Sequence, residues 1–248
     1  MKTILILLVC SISITAAAQK FSLTSRANMN TAAGEQVGKF RNAYGMGIGF
    51  ELAVKKASPL KLVMNADAGT NAIESMPYEF EFNNVLTKTT IEYSSNILEL
   101  TSGLRYVFNE SKKLKPYVGA GIGMLRYSTN YIIEDPENPD GCHALESEKI
   151  QSDKSFISKI EGGLRFASRW KVCSNRYILF DAGFSYKRGT AAEYMRLNNH
   201  HNDDGADYSV KFQSSTNEVH EHAIGKIYNT PVNQLAFHFG LVLPFSRQ

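Results

Sequence analysis

Apolar and polar residues alternate along most of the chain. In FISKIEGGLRFAS, Phe156 to Ser168, one alternate set is Phe156, Ser158, Ile160, Gly162, Leu164 and Phe166. The interleaved set is Ile157, Lys159, Glu161, Gly163, Arg165 and Ala167. A period of two is what a β-strand with one apolar and one polar face requires, because successive side chains point to opposite sides. The same rhythm predicts strands over Lys20–Asn30, Arg41–Val54, Leu60–Asn71, Asn96–Phe108, Lys115–Tyr131, Ser155–Trp170, Tyr177–Thr190 and Val232–Phe245. Each of these eight segments is long enough for the ~9–11 tilted residues with which a strand crosses a bilayer.

The predicted connections alternate in length. KKASP, NESKKL and KVCSNR are short, polar and rich in turn formers. The stretches after Asn30, from Ala72 to Ser95, from Ile132 to Lys154 and from Ala191 to Pro231 are longer. Short turns at one end and long loops at the other are the build of an outer-membrane barrel, with turns in the periplasm and loops outside. An even strand number then leaves both termini on the periplasmic side. The fold class predicted is all-β, an eight-stranded antiparallel up-and-down transmembrane β-barrel.

Which face looks inward decides between a membrane barrel and a soluble one. One face carries residues such as Ile48, Phe50, Leu62, Met64, Leu98, Leu100, Ile122, Phe184, Phe237 and Phe239. The other carries Arg26, Glu51, Lys61, Asp67, Glu99, Arg105, Lys159, Glu161, Arg165, Asp181, Lys187 and His238. Gly45, Gly47, Gly49, Gly69, Gly103, Gly119, Gly121, Gly123, Gly163, Gly183 and Gly240 share the charged face, with Gly162 the main exception. Outside a soluble barrel these glycines would only weaken strands. Inside an eight-stranded barrel, just wide enough for side chains, they leave room for long charged ones. A Lys or Arg at the bilayer midplane costs about 2–4 kcal/mol, so the charged face is assigned to the lumen and the apolar face to lipid. Tyr106, Phe108, Phe166, Trp170 and Phe245 fall at the turn-side interface, and Tyr44, Phe156 and Tyr186 at the loop side.

The N-terminus changes the picture of location. Lys2, an apolar run from Ile4 to Ile14 and Ala16-Ala17-Ala18 make a secretory signal peptide over residues 1–18, cleaved before Gln19, leaving a barrel domain over 19–248. The apolar run is short of the ~20 residues of a spanning helix. Val9 and the early position argue against lipidation of Cys10. The formal charge of +3, lowered by loss of Lys2, comes without a basic cluster, and no nucleic-acid partner is expected. Cys142 and Cys173 remain after cleavage; they allow one disulfide at most, but the topology sets them at opposite ends of the barrel.

Candidate chemistry is sparse. The lumen acids Glu51, Asp67, Glu99, Glu161 and Asp181 nearly balance Arg26, Lys61, Arg105, Lys159, Arg165 and Lys187. In so narrow a space, unpaired charges carry a large desolvation cost, so ion-paired networks that plug the lumen are expected, with little conductance. His200, His201, His220 and His222, with Asp203, Asp204, Asp207, Glu218 and Glu221, are weak candidates for zinc, their spacing matching no established pattern. No metal or other cofactor is therefore assigned. His238 with Ser102 or Ser185 makes no recognisable catalytic set, and GAGIG lacks the following helix of a phosphate loop. An enzyme is not expected.

Three segments, FSLTSRANMNTAAG, KPYVGAGIGMLRY and NQLAFHFGLVLPF, resemble the first, fifth and closing strands of the Bacteroidota outer-membrane β-barrel domain proteins, the PorT-like family. That resemblance implies an eight-stranded barrel with periplasmic termini, surrounded by outer-membrane lipid and inserted by the barrel assembly machinery. This machinery favours a C-terminal aromatic, whereas here Phe245 is followed by Ser246-Arg247-Gln248. The role expected is a structural envelope component, or a scaffold offering its long extracellular loops to a surface partner. An accessory part in protein secretion and a soluble ligand-binding barrel are the alternatives.

Overall fold

A computed structural model describes residues 21–55, 58–82, 85–108, 112–135, 144–172, 176–197, 208–213 and 219–245. The signal segment, Cys142, Cys173, His200 and His201 lie outside the described residues. The strands are β1 (Phe21–Ala32), β2 (Ala43–Ala53), β3 (Leu60–Phe82), β4 (Val85–Val107), β5 (Leu114–Glu134), β6 (Ala144–Val172), β7 (Arg176–Leu197), β8 (Tyr208–Gln213) and β9 (Val219–Phe245). A single 3-10 turn, Gly34–Gln36, is the only helical element among the described residues.

Neighbours in the chain pair antiparallel from β1 to β7, β7 pairs with β9, and β9 returns to β1 from Phe21↔Phe245 to Ala32↔Gln234. At the level of β1 and β2, eight antiparallel strands thus close into a ring with no free edge, the arrangement that satisfies every backbone group without water. The short β8 lies outside the ring, paired only to the first residues of β9.

The faces divide as the alternation requires. Outward residues form a continuous apolar belt that includes Met46, Ile48, Phe50, Met64, Ile122, Ile160, Phe237 and Phe239. Tyr106, Phe108, Phe166 and Trp170 stand exposed toward the turns, where Phe21 and Phe245 stack at 5.0 Å across the closing seam. Tyr44 and Phe156 stand exposed toward the other end.

The strands run much further than the alternation predicts. The segments read as loops over Ala72–Ser95, Ile132–Lys154 and Ala191–Pro231 are largely strand, drawn out as hairpins β3–β4, β5–β6 and β7–β9. Register shifts at Thr70/Ala72 in β3, beside Thr129/Asn130 in the β5–β6 pairing, and at Arg188/Ala191 in β7 mark where they begin. A bulge inserts one residue and turns every later side chain to the opposite face. On β3 the inward positions pass from odd, at Val63, Asn65, Asp67 and Asn71, to even, at Ala72 and Met76. On β7 they pass from Asp181, Ser185 and Lys187 to Ala192 and Tyr194.

These extensions form a crown with an apolar interior. Ile91, Tyr93, Tyr131, Ile133, Met195, Leu197 and Ile224 are buried together, with Ala72, Met76, Ile150 and Ile227 packed against them. Below them a second cluster joins Phe40, Ile97, Leu125, Tyr127, Ile157, Tyr194 and Val232. The connection after β1 folds inward to supply Phe40, whose ring meets Tyr127 at 6.1 Å and Tyr194 at 5.8 Å. Gln36 is fully buried and accepts the Asn233 backbone N–H at 3.1 Å. Positive φ at Gly34 and Gly38 lets the chain make this tight re-entry.

Candidate functional site: the ion-paired lumen

Glu51 on β2 is the hub of the lower lumen. It accepts from Arg165 Nη1 at 2.7 Å, from Arg165 Nη2, and from Arg105 Nη1. Arg165 also donates to Asp181 from Nε at 3.1 Å and Nη2 at 3.0 Å, while Arg105 Nε donates to Glu161 at 2.7 Å. Arg105, Arg165 and Glu51 are each no more than 1% exposed. A fork-shaped guanidinium can bridge two carboxylates at once, which is why this tier is built from arginine.

The next tier uses lysine. Lys187 Nζ donates to Glu99 and, at 2.7 Å, to Asn30 Oδ1. Lys159 Nζ lies 3.6 Å from Glu99 Oε1 and 3.7 Å from Glu161 Oε2, and so links the two tiers. Beside them Arg26 holds Asp67 through Nε at 2.8 Å and through Nη2, and Asn28 Nδ2 donates to the same carboxylate at 2.6 Å.

The structure therefore brings together Arg26, Glu51, Asp67, Glu99, Arg105, Lys159, Glu161, Arg165 and Asp181 with Lys187 in one buried set of five carboxylates and five cations. Lys61 sits half-buried at the turn end of β3, in register with Ala53 and Arg105. His238 Nε2 is 2.8 Å from Tyr117 Oη and 3.7 Å from Asp181 Oδ1. Ser185 is buried on the inward face, but Ser102 faces outward, on the opposite side of the wall from His238. His220 and His222 lie on β9 in register with Phe212 and Val210 of β8. No group of three metal-ligating side chains occurs among the described residues.

Tyr117 is the central residue that the charge pattern does not pick out. Its hydroxyl donates to Asp181 Oδ1 at 2.9 Å, and its ring carries the Arg105 guanidinium at 4.3 Å and that of Arg165 at 5.0 Å. The π-cloud and the acidic surroundings offset part of the repulsion between these two cations. The signal was in the alternation, since Tyr117 shares the parity of Gly119, Gly121 and Gly123. The glycines make its position possible. A Cβ on Gly183 would lie 2.5 Å from the Tyr117 hydroxyl and 2.7 Å from His238 Cε1, and one on Gly47 would overlap the Asp67 carboxylate.

The two ends of the charged section differ. Toward the turns the buried residues are Ser22, Ala53, Val107, Leu179 and Val242, with Lys61 half-buried beside them, and toward the crown lies the apolar Phe40 cluster. Between the lysine tier and that cluster, Gln234 Nε2 donates to Tyr127 Oη at 2.9 Å.

No protein-family model matches the chain, and no curated protein matches it significantly. Among solved structures it is similar to Neisserial surface protein A, at 13% identity over 92% of this chain and 97% of that one, with a TM-score of 0.46. It is also similar to a major outer membrane protein from Thermus thermophilus, at 12% identity over 92% and 100%, with a TM-score of 0.44. Ail, the attachment invasion locus protein of Yersinia pestis, in complex with the heparin analogue sucrose octasulfate, gives 11% identity over 92% and 99%, with a TM-score of 0.41.

Proposed function

We propose that this protein is an outer-membrane β-barrel whose sealed lumen is structural and whose crown of hairpins is the working part, presented to a surface partner. The observation that carries this reading is the change of interior along the ring. Five carboxylates and five cations are paired inside an apolar belt, and an apolar core stands above them within the extended hairpins. Charges inside and apolar residues outside suit a wall surrounded by lipid, and a polar exterior over an apolar core suits a crown surrounded by water. A soluble ligand-binding barrel would need the opposite arrangement in the ring.

The lumen does no catalysis and passes no ions in this reading. Its charged groups are spent on one another, and the apolar Phe40 cluster closes it toward the crown. The PorT-like assignment rests on the three segments quoted above, and the barrel assembly machinery enters as partner through that assignment.

Cysteine labelling tests the topology. In the sequence Cys142 precedes β6 and Cys173 follows it, and the 29 residues of that strand extend roughly 95 Å at ~3.3 Å per residue. A membrane-impermeant maleimide on intact cells should label Cys142 alone, and Cys173 only after lysis. Labelling in the reverse order, or a Cys142–Cys173 disulfide within one chain, would overturn the arrangement. Planar-bilayer recordings should show no steady single-channel current.

A further inference from the structure

We infer that the outward face of β5, β6 and β7 is a binding site for a phosphorylated membrane lipid, its phosphate held by Arg126 and Lys154 and its acyl chain lying in a groove of the wall beneath. The inference deepens the outer-membrane reading above and rests on it.

Three cations interrupt the polar rim just beyond the apolar belt on neighbouring strands. Arg126 follows Met124 on the outward face of β5, Lys154 precedes Phe156 on β6, and Arg188 follows Tyr186 on β7. Arg126 and Lys154 are direct register partners. Like charges placed opposite each other across two strands repel, so the pair weakens the isolated sheet. No carboxylate among the described residues pairs with Arg126, Lys154 or Arg188, and Arg126 has only a neutral partner, donating from Nε to Ser152 Oγ at 2.9 Å. The Asp153 carboxylate is occupied by the backbone N–H groups of Lys154 at 2.7 Å and Glu193 at 2.8 Å. A phosphate between the two cations turns that repulsion into paired charge-assisted hydrogen bonds.

The groove is an independent observation. At about 1120 Å³ it runs around the waist of the wall from Phe50 on β2 to Arg188 on β7, and it passes Met124 and Phe156, the outward residues next below Arg126 and Lys154. Arg188 lies on its edge, beside Ser158, whose hydroxyl donates to the Arg188 carbonyl at 3.1 Å. Its size exceeds the ~300–1,000 Å³ of a small-molecule pocket, and its lining is almost wholly apolar. A ligand that fits both features is an amphiphile with an anionic head, and the head takes the rim while the chain takes the groove.

The test uses the full mature chain reconstituted in phosphatidylcholine nanodiscs with a minor fraction of bisphosphorylated lipid A. Lipid that stays bound after detergent extraction is read by native mass spectrometry. The wild type should retain lipid A, and R126Q/K154Q should retain roughly tenfold less, the scale of one lost charge-assisted hydrogen bond. The same lipid without phosphates should be retained no better by the wild type than by the variant, and free inorganic phosphate should not displace the bound lipid. Both cations are on the surface, so the variant should keep its heat-shifted gel band. Equal retention of lipid A by two inserted, heat-shifted barrels overturns this site alone. A chain that never acquires a heat-shifted, detergent-dependent form overturns the barrel reading and the site together.

Discussion

The middle of the ring and its crown are lined by the same strands, yet they bury opposite chemistry. On β4 the inward positions run Ile91, Tyr93, Ser95, Ile97 and then Glu99, Thr101 and Arg105, so one face changes from apolar to charged without a break in the strand. The outward face changes in the other sense, from Glu92, Ser94 and Asn96 to Leu98, Leu100 and Leu104. The crossover lies where the apolar belt ends. A side chain is placed by what the wall faces outside: where that is lipid, the polar groups have only the interior left, and where it is water, the ordinary rule of an apolar core returns. The comparison also separates two kinds of stability. The crown is held by apolar burial, which is non-directional and tolerant. The middle is held by ion pairs, which matter chiefly because breaking one strands a buried charge.

The largest effect should come from the hub. Glu51→Ala leaves Arg105 and Arg165 buried without their shared carboxylate, and a loss of about 3–5 kcal/mol is expected. Reversible urea unfolding in vesicles would measure it. An unchanged midpoint would mean that the lumen charges are dispensable. The same wall can be challenged from outside. Ile160 is 61% exposed near the centre of the belt, and Ile160→Arg should cost about 2–4 kcal/mol in a bilayer, although arginine is abundant a short way off inside. If I160R inserts as well as wild type, β6 does not face lipid there.

The crown should respond more mildly and more locally. Ile91→Val removes one buried methyl(ene) from the upper cluster and should cost about 0.5–1.5 kcal/mol, seen as faster hydrogen exchange in β4 above Asn96. The urea midpoint of the ring should stay where it is. A shift of that midpoint equal to the exchange effect would make ring and crown one cooperative unit and dissolve the distinction.

Much of this was legible in the alternation, because period two is a local property of the chain. It placed eight ring strands to within a few residues in the lipid-facing section and sorted Glu51, Glu99, Arg105, Arg165 and Lys187 onto one face. It stopped at Asn71 and Thr190, where bulges in β3 and β7 shift the parity and make a continuing strand look like the start of a loop, and at Tyr131, although β5 keeps its parity through Ile133 and the extra residue lies on its partner β6. On β3 and β7 the periodicity resumes one residue out of phase.

What the sequence determined by itself, then, was the face of each strand and hence the chemistry of the two sides of the wall. Only the tertiary structure decided the partners within the lumen. Glu51 on β2 meets Arg105 on β4 and Arg165 on β6, residues 54 and 114 positions away, because ring closure and stagger carry them to one height. Tyr117 reaches the centre for the same reason, and Phe40 because the connection after β1 turns inward. Alternation reports which side of a strand a residue takes, and it carries no information about what stands across the barrel. That depends on how far each strand is shifted against the next, which is set by the whole closed ring.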